Sequence, residues 1–202
     1  MKLLFLEFYK VQRQKIWYML AGLWLAQLGW SLWAMQSYMA KGYQELWPYI
    51  LLQISQINCL VMPIFIAILA SRLCDMEHKG QTFRILHTLV EPGNSYVAKY
   101  FCNAFFILLA AAGQALSMTL VGILWHFPGS IPLFHILAFF TTTSLVSLCL
   151  LALQQALSLL IPNQMISLVA GVIGGFLGLM ALFFPPAIQK CFPWSYYTGR
   201  CV

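Results

Sequence analysis

Tyr49–Ser71 reads YILLQISQINCLVMPIFIAILAS, and Arg72–His87, RLCDMEHKGQTFRILH, follows at once. The first run contains no Asp, Glu, Lys, Arg or His, and it is long enough for a hydrocarbon core that needs about 20 helical residues. The second gathers acids, bases, histidines and a glycine in a chain that otherwise nearly lacks charge. One reads as a membrane span and the other as a segment in water. The rest of the chain is read by the same test.

Four more stretches pass it: Ile16–Met39, Tyr100–Trp125, Leu133–Ile161 and Met165–Phe184. None holds an acid, a base or an interior histidine; His126 and His135 sit at a boundary around Pro128-Gly129. Apolar residues make up 61% of the 202 and charged ones 8%, where soluble domains run near a quarter charged. The expected fold is all-α, a polytopic transmembrane helical bundle of five spans forming one domain over residues 1–202. No connection is long enough to hold a soluble domain.

The N-terminal stretch Lys2–Lys15, KLLFLEFYKVQRQK, mixes charge with apolar residues, unlike a cleaved signal peptide. As a helix it sets Leu4, Phe5, Phe8 and Val11 at three- and four-residue spacings, with Lys10, Arg13 and Lys15 towards its end. That suits a helix over residues 1–15 lying in the membrane interface. A plain flank of the first span fits the same residues. With the N-terminus in the cytoplasm, Lys2, Lys10, Arg13, Lys15, Arg72, Lys79, Arg84 and Lys99 lie inside, and Lys41, Lys190 and Arg200 outside. This bias follows the positive-inside rule. The net charge of +6 is thus a topology signal and not a nucleic-acid footprint. The only sizeable cytoplasmic connection is then Arg72–Lys99.

Uncharged polar groups stud the spans: Gln27, Gln36, Gln53, Gln56, Asn58, Asn103, Gln114, Gln154 and Gln155. Amides in lipid need partners, either on other helices or in a polar cavity. Intramembrane carboxylates, which proton- or ion-driven transporters use, are absent from the five runs. Gly171, Gly174, Gly175 and Gly178 create two overlapping small-xxx-small spacings, which let another backbone approach closely. That backbone belongs to this chain by default, or to a partner permease. Pro63 is positioned to kink the second span. Cys59, Cys102 and Cys149 fall in spans as small apolar residues. Cys191 and Cys201 face outward in this topology, where a disulfide is chemically possible.

Enzymatic motifs are missing: there is no Gly-x-Ser-x-Gly, no His-Glu-x-x-His and no Walker-type glycine loop. His78 and His87 are nine residues apart, which puts them on opposite faces of a continuous helix. No catalytic residue, metal site or cofactor is expected. Within the central loop, Asp75 is placed to cap a helix start. Met76, Phe83, Leu86 and Val90 fall near one face. Gly80, costing about 1 kcal/mol against Ala in a helix, marks a bend, and Pro92-Gly93 stops any helix reaching that far. The physics leaves open a bent amphipathic element beneath the membrane or a solvated connection.

Ala70–Leu86, ASRLCDMEHKGQTFRIL, with its Glu, Gly and Thr in that order after the second span, resembles the permeases of lantibiotic-immunity ABC transporters. Tyr96-Val-Ala-Lys99 and Pro193-Trp-Ser-Tyr196 add to the likeness, and bacitracin-resistance permeases share the layout. These are ABC-2-type exporters, usually of six spans where five are read here, so the C-terminus would lie outside. The resemblance implies that Asp75, Glu77, His78, Gly80, Thr82 and Arg84 belong to a coupling element that docks on an ATP-binding cassette subunit. It implies a second permease subunit, identical or different, and an antimicrobial peptide cargo taken from the lipid of a bacterial cytoplasmic membrane. A competing class is a membrane immunity protein that sequesters the peptide without ATP.

Overall fold

A computed structural model describes residues 2–12, 15–42, 45–79, 91–161 and 163–198. All regular structure among them is helical: α1 (Lys2–Gln12), α2 (Ile16–Ala40), α3 (Leu46–Lys79), α4 (Pro92–Leu124), α5 (Leu133–Leu160), α6 (Gln164–Ala181) and α7 (Pro186–Gln189), then a 3₁₀ turn at Pro193–Tyr197. Four helices, α3 to α6, are long and apolar enough to cross a membrane. α2 is not among the four, because Trp17, Trp24, Trp30, Trp33, Gln27 and Gln36 dilute its leucines. It nevertheless carries no charge along its 25 residues. It also lies antiparallel beside α3, where Gln27 bonds to Asn58 and Trp30 to Gln53.

Bonds between helices set the remaining directions. Asn58 donates to Gln114 and joins α3 to an antiparallel α4. Tyr96 and Tyr100 donate their hydroxyls to the carbonyls of Ala152 and Leu148, so α5 runs antiparallel to α4. Ser158 and Ser167 close the α5–α6 hairpin. α3 is the axis: 67% of its apolar window is buried, against 33–39% for the other three spans. Leucines, isoleucines and phenylalanines exposed on α4, α5 and α6 form the surface that such a bundle presents to lipid.

Several sequence expectations change. Asp75 caps no helix start, since it lies inside α3, which runs on to Lys79. Nothing between Ser71 and Lys79 breaks a helix, and Leu, Met, Glu and Lys favour one. Pro92 does not stop a helix but opens α4, a place where its fixed φ and missing N–H cost nothing. The expected loop 72–99 is therefore helical at both ends, and the bend at Gly80 lies outside the described residues. Phe5 leaves the buried face of α1, which is made by Leu4, Glu7, Phe8 and Val11, and points outward. Trp47 and Trp194 turn inward: Trp47 stacks edge-on with Phe127, and Trp194 lies on α6.

Candidate functional site

The bundle has a charged end, holding α1, the end of α3 and the start of α4, and an opposite end around Lys41-Gly42 and Phe127–Pro132. α3 has 34 residues and a length of about 51 Å at the helical rise. That exceeds a hydrocarbon core of about 30 Å by roughly 20 Å. Its charges are confined to the last two turns, about 12 Å at the helical rise, where Arg72, Asp75, Glu77, His78 and Lys79 cluster and Leu73 and Cys74 are still buried. Arg72 is exposed and Asp75 half-buried. Glu77 and His78 belong to the helix, with their side chains outside the described residues, as are Gly80, Thr82 and Arg84 altogether.

Two residues that the sequence reading did not single out lie beside this end. Lys99, read from the sequence as a flanking base, is completely buried inside α4. Its Nζ donates to Glu7 Oε1 of α1 at 2.9 Å. Lys10 Nζ, on the rim, donates to the same oxygen at 2.9 Å. Glu7 is itself buried, and its Oε2 accepts no hydrogen bond among the described residues. Around this pair Phe8 packs edge-on against Phe105, and Trp17 against Phe106. Lys15 in left-handed backbone, φ 54°, breaks α1 from α2, so α1 turns aside and lies along α4. The signal in the sequence was a lone acid at Glu7 amid the N-terminal bases, matched by a base in Tyr96-Val-Ala-Lys99.

Away from this pair, the polar groups buried between the helices are uncharged. Gln27, Asn58 and Gln114 form a buried amide chain across α2, α3 and α4, ending on Met62 Sδ. Gln155 joins Asn103 of α4 to the Tyr96 carbonyl, and Gln154 accepts from Ser167. Together with the bond from Trp30 to Gln53, helix-to-helix bonding accounts for most of the intramembrane amides.

The α6 glycines face two ways. A Cβ at Gly171 would stand 2.5 Å from Ala67 Cβ and 2.9 Å from the Pro63 carbonyl oxygen. One at Gly175 would meet the Leu60 and Cys59 carbonyl oxygens at 3.0 and 3.2 Å. The Cys59 carbonyl is the one Pro63 deprives of a helical donor. Gly174 and Gly178 instead seat Trp194. Beyond α6, then, the chain turns back into the bundle. Trp194 O accepts from Cys59 Sγ at 3.4 Å, and the buried Tyr197 hydroxyl bonds Ser147 at 2.9 Å. Cys59 and Ser147 are near the middles of α3 and α5, so this segment reaches mid-depth and does not stay outside. Cys191 is exposed, and Cys201 lies outside the described residues.

No group of His, Cys, Asp and Glu able to hold a metal occurs among the described residues. A groove of about 480 Å³ between α2 and α3, lined by Leu25, Ala26, Gly29, Trp30, Trp33 and Ile57, is apolar and open on the lipid side. What the arrangement offers is mechanical: a long axial helix that ends in a charged segment, and a side helix tied to its neighbour by buried charge.

These features define a multi-pass membrane protein. The chain belongs to the ABC-2 family: the model for "ABC-2 family transporter protein" matches residues 3–178. It is thus a membrane permease of an ABC transporter, and membership implies an ATP-binding subunit as partner. Comparison with curated proteins gave no match, and neither did comparison with solved structures.

Proposed function

We propose that the chain is the permease subunit of an ATP-driven exporter that removes a lantibiotic-like, membrane-active peptide from the bilayer. It sits in a bacterial cytoplasmic membrane with its charged end inside, pairs with a second permease subunit, and leaves ATP hydrolysis to a separate chain. The segment from Asp75 through Glu77, His78, Gly80, Thr82 and Arg84 meets that chain. The observation carrying this reading is that α3 continues past its apolar run as one helix, through about 12 Å of charged chain from Arg72 to Lys79, and is charged only there. Since α3 is also the axis of the bundle, a push on its end reaches every span.

The peptide cargo rests on the family resemblance of Ala70–Leu86 and on the absence of an ion-carrying acid in mid-membrane. The apolar face of such a peptide suits the tryptophan-lined groove between α2 and α3. The test is resistance to lanthionine peptides in cells carrying the permease and its ATP-binding subunit. Glu77→Ala and Gly80→Leu should abolish it while membrane level and insertion stay unchanged. Full resistance in both variants would end the coupling assignment. Resistance that persists with an inactivated nucleotide site would favour sequestration of the peptide without ATP.

A further inference from the structure

We infer that Glu7 and Lys99 are positioning residues that clamp α1 to α4, so that the two helices move as one body when the transporter changes state. The inference rests on the exporter reading above. Replacing a buried ion pair with apolar side chains of similar volume is often neutral or stabilising, so adhesion alone is a weak reason to build one. What a lysine and a carboxylate add is direction. Lys99 Nζ reaches Glu7 Oε1 across 92 positions of sequence, with the two side chains only 1% and 3% exposed.

The surroundings fit a lever better than a passive brace. Lys10, one turn along the same helix, holds the same carboxylate oxygen from the rim, which fixes the Glu7 side chain in the direction of Lys99. Phe5, Leu6 and Tyr9 on the outer face are 75, 54 and 55% exposed, so that face is left to the membrane interface. α1 touches α4 far more than it touches α3. α4 opens at Pro92, eight residues after Arg84, the last residue assigned to the ATP-binding subunit, with Lys99 two turns further in. Tyr96, one turn before Lys99, and Tyr100, the residue after it, tie α4 to α5. A displacement entering at Pro92 therefore meets the Tyr96 tie to α5 and, one turn on, the clamp, so α1 and α5 are both coupled to α4 near its start.

The test uses the full permease with its ATP-binding subunit in lipid nanodiscs, accessible native cysteines replaced. Spin labels at Phe5→Cys and Val97→Cys, both exposed positions, report α1 against α4. A label pair at Phe5→Cys and Ile188→Cys reports α1 against the opposite end. Between nucleotide-free and vanadate-trapped states, the Phe5–Val97 distance should stay within about 2 Å while the Phe5–Ile188 distance moves further. Glu7→Gln should broaden the Phe5–Val97 distribution about twofold, by freeing a helix whose geometry the pair specifies. The paired variant Glu7→Leu/Lys99→Leu leaves no lone buried charge, so it inserts even if Glu7→Gln does not, and it should broaden likewise. A Phe5–Val97 distance that changes between states, or a paired variant as narrow as the wild type, overturns the clamp alone. If vanadate moves neither distance, the ATP-driven reading falls and takes the clamp with it.

Discussion

At the charged end, α1 is held to α4 by a lysine and a glutamate withdrawn from water. At mid-depth, the segment Pro193–Thr198 is held to α3, α5 and α6 by a tyrosine hydroxyl, a thiol and an indole lying on glycines. Both are contacts between spans and a short segment folded against them, yet they use opposite chemistry. The reason is depth. Near the interface a lysine can keep its charge by lying along its own stem towards the headgroups, whereas at the bilayer centre a charge costs several kcal/mol. Neutral groups also suit the interior because an amide or hydroxyl left alone in lipid still needs a partner. The amide chain Gln27–Asn58–Gln114 is the same solution between three spans.

That contrast can be broken most severely at the charged end. Lys99→Met leaves the buried Glu7 carboxylate with only Lys10 from the rim and should lower stability by about 3 kcal/mol, the low end for a broken buried pair, with Glu7→Leu/Lys99→Leu recovering most of it. Steric-trap unfolding in bicelles would read this, and equal stability of single and paired variants would contradict it. Next comes α6, where Gly171→Leu drives a side chain into Ala67 and the Pro63 carbonyl of the axial helix. Overpacking of this kind costs about 1–3 kcal/mol and should appear as a lower thermal midpoint in detergent. Gly22→Leu, facing open space on α2, is the control and should leave that midpoint unchanged.

Asn58→Leu removes the middle of the amide chain and strands Gln27 and Gln114, for a loss of about 2 kcal/mol. Replacing all three amides by Leu should cost less than Asn58→Leu alone, since no stranded partner remains. The smallest effect belongs to Tyr197→Phe, about 1 kcal/mol for one buried hydrogen bond, because Ser147 can turn its hydroxyl to its own helix carbonyl. Limited proteolysis at the exposed stretch Phe183–Ile188 would show whether the re-entrant segment loosens. If Tyr197→Phe proved as damaging as Lys99→Met, the distinction between the two contacts would collapse.

Spans were legible wherever a run stayed apolar beyond what a helix needs, and their boundaries agree with the helices to within a few residues except where charge begins. There the composition misleads: Lys99 looks like the edge of a span, because its partner stands at Glu7, far away in sequence. Asp75 looks like a cap for the same reason, since charge marks the end of the apolar run but not the end of α3. Glycine spacing on α6 showed that something approaches closely. It did not show that Gly171 and Gly175 meet α3 while Gly174 and Gly178 meet Trp194. Of the candidate coupling residues, Asp75 can be seen half-buried near the end of α3, and Glu77 and His78 share that helix.

Residue order was enough to establish a helical membrane protein with a charged segment between its second and third apolar runs and another before the first. Length, hydropathy and the distribution of bases are local properties and need no partner to be read. Packing in three dimensions was needed to show that a glutamate from the first helix neutralises a lysine inside α4, and that the chain beyond α6 turns back to mid-depth. Both outcomes depend on which buried groups meet, and a bundle settles that by pairing the charges and amides it has removed from water.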